Sequence, residues 1–167
     1  MQFKRILTHL LYARYRVRRA FPADSLRRIE AAIRDAEKGH SGEIRFAIEA
    51  ALPWAELIIS QSARERAIDV FSQLRVWDTE HNNGILIYLL LADRDVEIVA
   101  DRGVSARVTQ QEWEVICHEM EAHFRHGDFE TGLLAGIHAV ATHLRTHYPK
   151  SASNPNPNEI PDRPVIL

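Results

Sequence analysis

The chain has 167 residues, 46% of them hydrophobic, and a formal charge of only −2, which fits one domain with a sizeable core and short extensions. The charge is uneven, because Lys4, Arg5, Arg14, Arg16, Arg18 and Arg19 precede every acid and leave an acidic body of net charge −8 behind a basic arm. An acidic body without recurring aromatic and basic interleaving argues against a nucleic-acid partner. The single Cys117 excludes an internal disulfide, and no run reaches the roughly 18–20 apolar residues of a membrane span. A soluble protein of a reducing cytoplasm, peripheral at most to the inner membrane, is the expectation.

Residues 1–21 open like a signal peptide, but arginines stand where a small-residue cleavage site belongs, so the segment is expected to be retained. Phe3, Ile6, Leu7, Leu10 and Leu11 recur at helical spacing, which predicts a basic amphipathic helix over residues 3–19. Its stripe can pack on the domain or on a second copy. Alternatively the arm can rest on an anionic membrane surface, each nearby Lys or Arg adding about 1 kcal/mol.

The domain itself is expected over residues 22–149. Pro22-Ala23-Asp24-Ser25 starts a helix with Asp24 or Ser25 as cap, and Gly39 to Gly42 ends it. Glu43 to Glu49 alternates as a strand, residues 61–74 return to helical spacing, and Ile85 to Leu91 is an uncharged run typical of a strand buried on both faces. Strand, helix, strand implies a right-handed crossover and hence parallel pairing. Ala92 to Asp95 then reverses the chain into the alternating Val96 to Ala100, an antiparallel hairpin. Thr109 with Glu112 forms a capping box for a helix reaching about Phe124, and Asp128 can cap a last helix that Tyr148-Pro149 stops. The expected fold is α/β, a small mixed sheet covered by helices. Residues 150–167, proline-rich and poor in hydrophobics at their start, are expected to be disordered.

If the central strand is parallel to the first and antiparallel to the third, then Glu43, the Asp78–Asn83 loop and Asp101-Arg102 share one sheet edge. Carboxylate and amide oxygens gathered there suit calcium or magnesium, with Asp78, Glu80 and Asp101 as ligands and Glu43 and Asp128 in an outer role. The bland alternative is that Asp78 or Thr79 makes a side-chain turn, Asn82 and Asn83 adopt left-handed backbone before Gly84, and Asp101 pairs with an arginine. Trp77 reads as core. His118 and His123 are five residues apart, off the zinc-protease spacing, and Cys117 has no base beside it, so neither suggests catalysis.

Asn83-Gly84-Ile85-Leu86-Ile87-Tyr88-Leu89, then Asp93-Arg94-Asp95-Val96-Glu97-Ile98-Val99, then Phe124-Arg125-His126-Gly127-Asp128-Phe129 with Gly132 and Leu133, resembles the TPM domain family over about residues 22–146. That resemblance implies helices over a small mixed sheet. It also implies kinship with a thylakoid-lumen acid phosphatase, a photosystem II repair factor, an acetylcholine-receptor modulator, and bacterial envelope proteins, some of them binding calcium through acidic loops. Trp77-Asp78-Thr79-Glu80-His81 replaces a glycine-rich turn found in many members, and Ala100-Asp101-Arg102-Gly103 keeps only the last glycine of Gly-x-Gly. The expected function is a divalent-cation-binding module with a structural or regulatory role, in membrane or envelope maintenance. The alternatives are a scaffold that binds an unidentified protein, and a weak metal-assisted phosphatase with Arg102 on a phosphoryl oxygen.

Overall fold

Strand β1 (Glu43–Glu49) runs parallel to β2 (Gly84–Leu90), with Glu43 opposite Gly84 and Glu49 opposite Leu90, while β3 (Asp95–Ala100) lies antiparallel on the other side of β2. A two-residue β4 (Val165–Ile166) adds in parallel to the free side of β1, giving the order β3-β2-β1-β4. The mixed sheet is as expected and the fourth strand is not. This computed structural model describes residues 2–11, 15–150 and 157–167. The side chains of Phe3, Lys4, Leu10 and Leu11, residues 12–14 and the expected disorder of 151–156 lie outside the described residues.

The helices are α1 (Gln2–Leu11), α2 (Tyr15–Ala20), α3 (Ala23–Ala36), α4 (Trp54–Ile58), α5 (Ala63–Gln73), α6 (Arg102–Ser105), α7 (Gln110–Arg125) and α8 (Phe129–His147). Alternation along the strands splits the core in two. Ile44, Phe46, Ile48, Ile85, Ile87, Leu89 and Ile98 face α2, α3, α7 and α8, whereas Ala47, Leu86, Tyr88, Leu90 and Val99 face α4 and α5. Every residue of β2 is buried, because both faces of that strand carry a layer. Each such Ile or Leu contributes about 1.5–3 kcal/mol relative to exposure. No helix among the described residues is long and apolar enough to cross a membrane.

Several local expectations change. The capping box of α7 forms as read, with Thr109 N donating to Glu112 at 2.8 Å, but α3 starts one step earlier than its cap residues. Pro22 occupies the cap position, so Asp24 falls in the first turn beside Arg27 and Ser25 turns inward. Asp128 precedes α8 without capping it, since its backbone (φ −84, ψ 57) is not the extended conformation that aims a side chain at the helix amides. Trp77 is half exposed: the left-handed Arg75 (φ 53) turns the chain so that Val76 goes into the core and its neighbour faces out.

Among the described residues the basic arm is helical over α1 and α2, and α1 is fastened to the body. Leu52 N–H donates to His9 Nδ1 (2.9 Å), so the ring proton sits on Nε2 and bonds Asp93 Oδ1 at 3.0 Å. Arg5 binds the other Asp93 oxygen at 2.9 Å and the Gln61 carbonyl at 3.0 Å. At the opposite end of the chain, residues 157–167 depart from the expected disorder. Ile160 is buried, Leu167 N–H reaches Ile48 O at 2.9 Å, and the Arg45 guanidinium binds the carbonyls of Pro161 and Arg163. The unpaired edge of β1 and the pocket for Ile160 outweigh a composition that looks unstructured on its own.

Candidate functional site

The register gathers the expected pieces at one sheet edge. Glu43 N–H bonds Asn83 O at 3.2 Å, Asp101 N–H bonds Gly84 O at 2.9 Å, and Gly103 N–H bonds Asn82 O at 3.0 Å. Asn82 takes the left-handed conformation (φ 51) foreseen for this loop, and its side-chain oxygen holds Arg102 Nε at 2.7 Å. Within that edge the carboxylates part company. Asp78 and Glu80 are exposed, and Glu80 N–H bonds the Glu159 side chain. Asp128 is not at this edge at all, because the α7–α8 corner lines a cavity with Leu91 and Arg94 at the far ends of β2 and β3. Among the described residues no group of three or more His, Cys, Asp or Glu side chains gathers as a metal cluster.

Asp101 is different. It is 8% exposed and caps α6 through Oδ1, which accepts from Arg102 N–H at 2.7 Å, while Oδ2 is buried with no hydrogen-bond partner. Asn83 shares the pattern: fully buried, its Nδ2 is spent on Ser41 O (2.6 Å), its N–H on Thr79 Oγ1 (3.1 Å), and its Oδ1 is unpartnered. More oxygens crowd in around Gly103. A Cβ there would lie 2.5 Å from Asn82 O, 2.9 Å from His81 O and 3.0 Å from the Tyr148 hydroxyl. A buried carboxylate oxygen without a partner is costly, so this edge holds acceptors in search of a positive charge. Hard oxygens of mixed carboxylate, amide and main-chain origin match calcium, or magnesium with retained waters.

Glu43 belongs to a separate arrangement. It is buried with Oε2 accepting from Ile160 N–H at 3.3 Å, near Glu37 and Asp162. Burial pushes the Glu37 carboxyl up to about 8; a bond from Ile44 N–H opposes this, and the charges of Glu43 and Asp162 add to it. Between about pH 4.5 and 8 the folded protein therefore holds a proton that the unfolded chain has released, so raising pH favours unfolding. Urea midpoints are expected to fall from pH 6.5 to pH 9, above the range in which the buried neutral His40 acts in the opposite sense, and Glu37→Gln, which keeps an acceptor for Ile44, should flatten that fall. An unchanged slope in the variant would remove Glu37 as its cause.

Two buried histidines carried no sequence signal, His9 and His40. His40 Nδ1 lies 3.0 Å from Gly42 O, and burial draws its pKa down to about 4, so the ring stays neutral with Nε2 unpartnered. Cys117 is buried and its thiol is pushed up to about 12, chiefly by that burial, which makes it inert.

The profile of the TPM domain family matches residues 18–143. The BA42 protein of the psychrophilic bacterium Bizionia argentinensis has a similar solved structure, with a TM-score of 0.76 at 30% identity over 88% of this chain and 95% of that one. The N-terminal domain of a protein from P. gingivalis shares the fold at a TM-score of 0.57 and 24% identity, over 72% of this chain and 76% of the other. No curated protein matches.

Proposed function

The chain belongs to the TPM domain family, and from that premise we propose that it acts as a divalent-cation-binding module whose cation sits at the Asp101 edge. The observation that carries this reading is the buried, unpartnered Oδ2 of Asp101 on the same edge as the unpartnered Oδ1 of Asn83. Those two side chains would hold the ion, with the loop carbonyls and water completing its shell. Calcium suits an edge built from loops better than magnesium, which demands near-ideal octahedral geometry. Bound, the cation neutralises Asp101 and ties the 81–83 loop to α6, a structural role linked to folding. Asp78 and Glu80, exposed on the same loop, add negative potential that attracts it.

Asp101→Asn tests the reading, since asparagine keeps the cap on Arg102 and removes the charge. With calcium at a hundredfold its Kd, stabilisation is about 2.7 kcal/mol, or roughly 5–10 °C in melting temperature. That shift is expected for the native protein and for Asp128→Asn at the far edge, and lost in Asp101→Asn. A calcium shift that survives Asp101→Asn, or none at millimolar calcium in the native protein, would sink the proposal.

A further inference from the structure

At the opposite edge of the sheet, α2, the β2–β3 turn and the α7–α8 corner enclose a cavity of about 430 Å³ lined by Arg16, Arg19 and Arg94. We propose that this cavity binds a phosphate group carried on a small apolar body. Arg16 and Arg19, three residues apart, share one side of α2, and that helix is anchored by Val17 and then Phe21, both fully buried. Arg94 comes from the turn, in left-handed backbone (φ 54), with its guanidinium 3.3 Å from the Arg125 carbonyl. Among the described residues neither Arg19 nor Arg94 makes an ion pair. The nearby Asp93 is already engaged by Arg5 and His9.

The guanidiniums of Arg19 and Arg94 together fit a dianion, because each can present two parallel N–H donors to a tetrahedral oxyanion. A monocarboxylate would leave one of those two charges unanswered. Gly127 opens the rest of the wall: at φ 86 its α-carbon has nothing within 4 Å of where a Cβ would stand. The floor is apolar, formed by Leu91 and by Phe129, whose ring packs on Phe21 and Phe124 at centroid distances of 5.8 and 5.3 Å. The volume falls in the range of small-molecule sites and exceeds a bare phosphate, so an organic body has room on that floor. Two sources share this chemistry, a soluble phosphomonoester and the phosphomonoester headgroup of a lipid. Tyr15, exposed at the rim, and the arginines of α2 suit either.

The test is an amide and arginine side-chain NMR titration of the full chain at constant ionic strength. The probes are phenyl phosphate and benzoate, with co-sedimentation on phosphatidylcholine vesicles with and without phosphatidic acid. Phenyl phosphate is expected to saturate, with shifts at Arg19, Arg94, Gly127 and Leu91, and to bind at least about tenfold tighter than benzoate. Arg19→Gln with Arg94→Gln should weaken it at least about tenfold with core resonances unmoved. Retention on phosphatidic acid vesicles that needs Arg94, without binding of the soluble ester, would assign the lipid source; saturation by the soluble ester alone would assign the other. Unsaturated shifts spread over all arginines, equal binding of benzoate, unchanged affinity in the double variant, or no response to either probe would each overturn the proposal.

Discussion

Replacing Arg66 by alanine is expected to destabilise the protein by about 3–5 kcal/mol, lowering its melting temperature by roughly 6–20 °C. Arg66 on α5 forks onto Glu49 at the end of β1, at 2.8 and 2.9 Å, and Tyr88 of β2 donates its hydroxyl to the same carboxylate at 2.6 Å. Glu49 is 4% exposed and faces the α4–α5 layer of the core, so without the guanidinium its charge stands uncompensated among apolar side chains. The same surroundings raise the Tyr88 hydroxyl far above its ordinary pKa, first by burial and then through the Glu49 charge. The cost lies in orphaning a partner rather than in losing the pair. Glu49→Leu, Arg66→Met and Tyr88→Phe together, which remove every member, should therefore come within about 1 kcal/mol of the native protein. Urea denaturation of the two variants decides this, and a loss under 1 kcal/mol in Arg66→Ala would refute it.

Gly84→Ala is expected to be at least as damaging, costing about 4 kcal/mol or more or preventing folding. A Cβ on Gly84 would run into the main-chain carbonyl of Val76, which no rotamer change can move aside. Relief requires shifting Val76, itself fully buried, or the start of β2, where Gly84 pairs with Glu43 and accepts from Asp101. Gly127→Ala is the contrast. Its positive φ costs an alanine about 1–2 kcal/mol, but there is open space around it, so the loss should stop there. Equal denaturation midpoints for the two alanine variants would contradict this account of Gly84.

The sheet was legible because its pattern is local. An uncharged run announces a strand covered on both faces, and Glu43 to Glu49 alternates plainly because one side meets Ile44's layer and the other meets α5. From strand directions alone it followed that Glu43, the Asp78–Asn83 loop and Asp101-Arg102 share one edge, and main-chain bonds from Glu43 to Asn83 and from Asp101 to Gly84 join those segments there. Which carboxylate turns inward was not legible. That depends on Arg75 and Asn82 taking left-handed backbone, which exposes Asp78 and Glu80, and on the four-residue α6 that turns Asp101 into a cap. Strand β4 escaped because two residues carry no period, and its pairing depends on a pocket for Ile160 built by distant segments. The apolar character of Trp77 misled for a related reason: side-chain type does not record which way a turn points.

The pairing of β4 with β1 joins Ala47 to Val165, more than a hundred residues apart in the chain. Contacts of that separation close late in folding, because the loop entropy must be met before the pairing rewards it. Until then β1 is an open edge of Ile, Phe and Ala that can template another strand. The arrival of strand β4, set up by Pro164, is thus expected late in folding, and the interval before it is when a crowded cell would see the protein aggregate.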